Sequence, residues 1–75
     1  MAEKKNNRDH VNSLARGLEV IRAFTRANPR MTLSEIARAT GMSRATVRRF
    51  LLTLVAEGYA ETDGKYFGLR PKVLE

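Results

Sequence analysis

The stretch TLSEIARATGMSRATVRRFLLTLVAEG, residues 32–58, decides the fold. Its first residues, Thr32, Leu33, Ser34 and Glu35, set a threonine three positions before a glutamate, the signature of a capping box at a helix start. The short helix that follows carries Leu33, Ile36 and Ala37 inward and must stop near Gly41, a residue free to adopt positive φ. Ser43 is then placed to cap a second helix from Arg44 to about Glu57. Two capped helices joined by so short a turn make a helix-turn-helix, here about residues 33–56.

The second helix has two unlike faces. At about 100° per residue, Val47, Phe50, Leu51 and Leu54 fall within roughly 100° of one another, the width of a face packed on a core. Arg48, Ala45, Arg49, Thr53 and Thr46 occupy the opposite arc, with Arg44 on its edge. Leu52 also falls outward and does not fit this division. Between Glu35 and Glu57 there is no acid while Arg38, Arg44, Arg48 and Arg49 are present; Arg38 has Glu35 three positions before it, but Arg44, Arg48 and Arg49 have no acid at the i±3 or i±4 spacing. Unneutralised guanidinium groups suit phosphate oxygens, and their bidentate fork suits the O6 and N7 edge of guanine. Ala45 and Thr46 add small surfaces near the helix start, where a helix entering the major groove comes closest to base edges. The bland reading, a solvated basic face, stands beside this one until the context is added.

That context lies on both sides. Downstream of Gly58, Tyr59 to Thr62 and Lys65 to Leu69 read as two short strands around Asp63 and Gly64, a strong hairpin signal, and the hairpin supplies a wing at about residues 59–69. Upstream, Leu14, Leu18, Ile21 and Phe24 mark one face of a helix that Ser13 is placed to cap and that runs to about Ala27, before Asn28 and Pro29 stop it. Gly17 inside it costs up to ~1 kcal/mol relative to Ala, which raises the expectation of a close approach by another backbone. Residues 1–12, with Lys4, Lys5 and Arg8 and few aliphatic side chains, read as a flexible basic tail. The expected class is mainly α with a small β-hairpin: a winged helix-turn-helix, three core helices plus a wing, over residues 13–69.

Composition agrees. A chain of 75 residues allows one small domain, and without cysteine it has no disulfide framework. Fourteen Lys and Arg against eight Asp and Glu leave a formal charge of +6, which points to a polyanionic partner or simply to a soluble basic protein, a choice that the distribution of the charge decides. No apolar run reaches the ~18 residues of a membrane span, and MAEKKNNRDH lacks the apolar segment of a signal peptide. The expected location is therefore cytoplasmic.

Three blocks, VNSLARGLEVIRAF at 11–24, LSEIARATGMSRATVRRFLLTLVAEGYAE at 33–61 and YFGLRPKVLE at 66–75, resemble the N-terminal winged helix-turn-helix domain of the isocitrate-lyase-regulator (IclR) family of bacterial transcription factors. The resemblance implies that Arg44 to about Ala56 is the recognition helix and that the hairpin is a wing beside the minor groove or backbone. Ala37 and Gly41 match the family's small helix position and turn, and Val47 and Phe50 its anchoring apolar positions. Ser43, Arg44, Ala45, Thr46, Arg48 and Arg49 fall where the family meets DNA, with Thr32 and Ser34 available to phosphate and Lys65 and Tyr66 on the wing. Arg44, Thr46 and Arg48 are the base-reading candidates and Arg49 a phosphate contact. The partners implied are a pseudo-palindromic duplex operator, a second copy of the chain in a homodimer, and a small-molecule effector on a C-terminal domain outside this chain. Residues 70–75 would begin the linker helix to that domain, and the bacterial nucleoid would be its place of work.

Other chemistry is weakly represented. His10 stands alone in the tail without the ligand set a metal needs, no cofactor is implied, and Ser13, Thr32 and Ser43 sit at helix starts with no base placed to activate them, so no enzyme is expected. The tail cations read as solvated, or as an arm entering a minor groove. Tyr59, Tyr66 and Phe67 read as core-covering aromatics of short strands rather than a base-stacking set. Two other functions fit the same fold: a protein-interaction module and an RNA-binding winged helix.

Overall fold

The computed structural model describes residues 11–71. Its elements run α1 (Asn12–Ala23), β1 (Arg30–Thr32), α2 (Leu33–Thr40), α3 (Arg44–Ala56), β2 (Ala60–Thr62) and β3 (Tyr66–Leu69). Three helices and a small antiparallel sheet in the order β1-β3-β2 form a winged helix-turn-helix. The tail reading on residues 1–10 and the linker reading on residues 72–75 lie outside the described residues.

The central motif forms as its capping residues require. The Thr32 hydroxyl accepts the Glu35 N–H at 3.2 Å, and the Glu35 carboxylate accepts the Thr32 N–H at 2.8 Å, so the capping box is complete. At the other end of α2 the Gly41 N–H donates to Ala37 O, and Gly41 has φ 77°, the left-handed conformation that a side chain would strain. Ser43 then caps α3, its Oγ accepting the Thr46 N–H at 3.1 Å.

The core draws one or two residues from nearly every element. Val20 of α1, Ile36 of α2, and Val47 and Leu51 of α3 are fully buried, with Met31, Ala37 and Phe67 in the same cluster, and Ala60 of β2 is buried as well. Phe50, Leu54 and Leu33 are half-buried against this cluster, as their positions on the helical wheel predict. Helix α1 packs across α2 and α3, and β2 lies against α3.

The structure corrects four expectations. Helix α1 begins at Asn12 with Val11 as its N-cap and no side-chain cap, so Ser13 lies inside the first turn and residues 11 and 12 belong to the fold rather than to the tail. It ends at Ala23 rather than near Ala27, because Thr25 and Asn28 close a tight loop by exchanging backbone hydrogen bonds at 3.1 and 3.2 Å, reinforced by the Thr25 hydroxyl. Its inward residue is Val20, whereas Leu14 and Leu18 of the expected core face are 63% and 43% exposed. The third strand, β1, was not expected at all: three residues show no periodicity, and Arg30, Met31 and Thr32 become a strand only by pairing with Gly68, Phe67 and Tyr66.

Gly17 is approached by the Phe50 ring and not by a backbone, and a Cβ added there would lie 3.6 Å from Phe50 Cδ1, an ordinary contact. Gly17→Ala is therefore expected to stabilise the chain by up to ~1 kcal/mol through helix propensity. A thermal melt checks this: the midpoint should rise by several degrees, about 4 to 8 °C per kcal/mol for a domain of this size. A lower midpoint would show that the Phe50 contact cannot accommodate the methyl group.

Candidate nucleic-acid interface

The start of α2 is the junction of the candidate interface: Ser34 lies beside Arg44 at the start of α3, and Thr32 pairs with Tyr66 at the start of β3. The α3 face is as the wheel reading has it, with Arg44, Ala45, Arg48, Arg49 and Thr53 exposed and Thr46 half-buried. Leu52 on the same arc of α3 is 42% exposed. Among the described residues the ion pairs are Arg30 with Asp63 and Arg70 with Glu61, so Arg38, Arg44, Arg48 and Arg49 face solvent with no carboxylate partner there. An acid-free guanidinium cluster of this kind suits a polyanion.

The hydroxyl groups at the helix starts are differently engaged. Ser43 Oγ, besides capping α3, donates to Thr46 Oγ1 at 2.9 Å, which orients the Thr46 side chain. Arg44 Nη1 lies 3.5 Å from Ser34 Oγ, a long contact that ties the recognition helix to the start of α2. Thr32 has its hydroxyl in the capping box and its backbone paired with Tyr66, so it links α2 to the sheet.

The hairpin turns one residue later than its Asp-Gly pair implied. Asp63 N–H donates to Tyr66 O at 3.3 Å, which makes Gly64 and Lys65 the central residues, with Gly64 at φ 102°. The Asp63 carboxylate accepts the Lys65 N–H at 3.0 Å and the Tyr66 N–H at 2.8 Å, and the Thr62 hydroxyl accepts the Gly64 N–H at 3.0 Å. These backbone hydrogen bonds, from Tyr66 first and Lys65 second, with the Arg30 guanidinium adding to them, hold the Asp63 carboxyl down to about 2 from its ordinary 3.8. A depressed carboxylate orders the turn fully above pH 3.8 and loses that effect as pH falls through about 2, so the wing tip keeps its charge at any neutral pH.

Of the three aromatics read as core cover, only Phe67 is buried. Tyr66 is half-buried on the opposite face of the sheet, where its ring centroid lies 5.4 Å from Lys65 Nζ and 5.5 Å from the Arg30 guanidinium. Tyr59 is exposed, and its backbone bonds Leu54 and Arg70.

Two basic residues escaped the sequence reading. Arg16 of α1 lines a polar depression with Thr40, Gly41, Ser43 and Thr46, beside the start of α3. Arg30 of β1 reaches the wing tip. Arg16 lies well upstream of the motif, and Arg30, though two residues before Thr32, is 33 positions from the carboxylate it meets, so no spacing rule would have found their places.

The class of protein that this geometry defines is a winged helix-turn-helix nucleic-acid-binding domain. The model of the IclR helix-turn-helix domain matches residues 13–64, and the chain belongs to that family; it is a DNA-binding domain of the type found in these transcriptional regulators. A Pca regulon regulatory protein of Pseudomonas putida is 48% identical over 88% of the chain and 23% of its own length. An IclR-family transcriptional regulator from Brucella abortus superposes with a TM-score of 0.86 at 38% identity, over 95% of this chain and 28% of its own. A chain of known structure from Rhodococcus sp. RHA1 is 63% identical, with a TM-score of 0.83 over 87% of this chain and 26% of its own. The chain thus spans about a quarter of the length of the relatives it matches. No helix among the described residues is long and apolar enough to cross a membrane.

Proposed function

We propose that this domain binds an operator duplex sequence-specifically, with α3 in the major groove and the hairpin against the backbone or minor groove. The observation that carries this reading is the acid-free face of α3, where Arg44, Arg48 and Arg49 stand exposed around Ala45 and Thr46. Arg44, Thr46 and Arg48 read base edges, Ala45 packs against them, and Arg49 contacts phosphate; Ser34, Ser43 and Thr32 border the backbone at the two helix starts, and Lys65 and Tyr66 do so on the wing. Selection of binding sequences from a randomised duplex pool at two salt concentrations tests it. Enrichment of a defined sequence, with a salt slope of several phosphates, is the expected result; steep salt dependence without enrichment would show sequence-blind backbone binding.

The whole protein, on the same reading, is a cytoplasmic, nucleoid-associated regulator that acts by binding rather than catalysis. It works as a homodimer with a small-molecule effector bound on a further C-terminal domain. The dimer reading draws on Leu14 and Leu18, which with Gly17, Ile21, Phe50 and Leu54 line an open, largely apolar groove of about 340 Å³. Large apolar side chains left in water on a regular helix mark a contact surface. A two-fold dimer implies half-sites about 10 base pairs apart or a multiple of that. Leu14→Asp is expected to lower affinity for a paired-half-site duplex by about tenfold while leaving a single half-site unaffected, because only linked binding is lost. Titrations on the two duplexes check it, and equal affinities of parent and variant on paired half-sites would remove α1 from the dimer contact.

A further inference from the structure

The wing tip carries a carboxylate on a surface that the proposed function sets against phosphate. Asp63 cannot simply be absent, because its oxygens hold the Lys65 and Tyr66 N–H groups and so shape the turn. Nor is its charge relieved by protonation, since the same hydrogen bonds keep it ionised. An uncompensated negative charge within a Debye length of a phosphate backbone, about 10 Å at 0.1 M salt, opposes binding.

The compensation comes from the far edge of the sheet. Arg30, on β1, donates from Nη2 to Asp63 Oδ2 at 2.8 Å across 33 positions of sequence. Its path crosses β3 at Gly68, its partner in the strand register, where a Cβ would stand 3.7 Å from Arg30 Cγ and 3.4 Å from Pro29 O. These are ordinary contact distances, so the arginine stem lies directly beside Gly68. The guanidinium ends 5.5 Å from the Tyr66 ring centroid, and Lys65 Nζ lies 5.4 Å from the same ring. The result is a tip on which one carboxylate is matched by one guanidinium and Lys65 is left as the net charge.

We propose that Arg30 is a positioning residue for DNA binding: it cancels the charge of Asp63, and so allows a turn built on a carboxylate to be laid against a polyphosphate. This rests on the reading that the wing touches DNA, and the experiment separates the two. The 75-residue chain is titrated by fluorescence anisotropy into a mixed-sequence duplex of about two helical turns across a range of salt. Arg30→Met, which keeps the stem over Gly68 and removes the charge, is expected to weaken binding about fivefold, and Arg30→Lys much less. Adding Asp63→Asn to Arg30→Met should restore binding to within about twofold, because asparagine still accepts the two backbone N–H groups without the charge. Glu57→Gln, the same charge change at the C-cap of α3, should not restore it. A melt of each variant confirms that it is folded.

Failure of Asp63→Asn to restore binding, with the salt slope of Arg30→Met reduced by about 0.9, would make Arg30 a direct phosphate contact and overturn the proposal. Equal rescue by Glu57→Gln would reduce it to overall charge and also overturn it. Lys65→Ala tests the underlying reading: if it weakens binding while Arg30→Met does not, the wing touches DNA and Arg30 is dispensable. If neither changes binding, the wing lies off the DNA, and the proposal falls with that reading.

Discussion

Arg48→Ala is expected to cost about 1 to 3 kcal/mol of operator affinity and to relax base preference at a single position of each half-site. Arg48 stands exposed at the middle of the outer face of α3, with no carboxylate partner among the described residues, so its guanidinium needs no rearrangement to reach a base edge. A bidentate pair with guanine presents two parallel donors to two acceptors, and alanine leaves both unsatisfied. The loss should therefore be largest on the preferred sequence and small on unrelated duplex. Competition titrations against single-base operator variants read this directly. A loss equal on every sequence, accompanied by a salt slope lower by about 0.9, would move Arg48 to the phosphate-contacting group with Arg49.

Leu51→Ala is expected to have the largest effect on stability. Leu51 is fully buried in the core cluster, beside Val47 of the same helix, Ile36 of α2 and Val20 of α1. Truncating a leucine in such a site costs about 2 to 5 kcal/mol, since the lost transfer energy is joined by the cost of the cavity. A domain of this size has a total stability of only about 4 to 11 kcal/mol, so the variant should be partly unfolded at moderate temperature. Urea denaturation at fixed temperature measures it, with the midpoint lowered and the slope unchanged. Leu52→Ala, one residue along on the exposed face, is the natural control and should change stability by less than about 0.5 kcal/mol. A Leu51→Ala midpoint equal to that of the control would show that the core closes around the missing side chain.

The contrast between those neighbouring leucines shows what was legible in advance. The 3.6-residue period of α3 separates Val47 and Leu51 from Arg48 and Leu52 with no knowledge of the partners, because one regular helix imposes its own geometry on every residue it contains. The capping box of Thr32 and Glu35 and the left-handed turn at Gly41 are equally local: each depends on atoms at most four residues apart, and both stand in the structure as expected. The candidate DNA face was legible for the same reason, since Arg44, Arg48 and Arg49 lie on one helix whose phase the apolar residues set.

What the sequence could not decide depends on contacts between distant residues. The hydrophobic stripe of α1 named Leu14 and Leu18, yet Val20 is the buried residue, because the rotation of α1 is set by its packing on α2 and α3 and not by its own periodicity. Strand β1 has three residues and no pattern of its own; it exists because Met31 and Phe67 meet across the register. Arg30 became part of the wing by that pairing alone, 33 positions from the carboxylate it holds. By itself, then, the sequence determined the helix-turn-helix, its capped ends and the basic face of α3, all products of short-range geometry. Tertiary structure alone decided which side of α1 is buried, the third strand and the charge balance at the wing tip, because these depend on hydrogen bonds and packing that only the closed chain brings together.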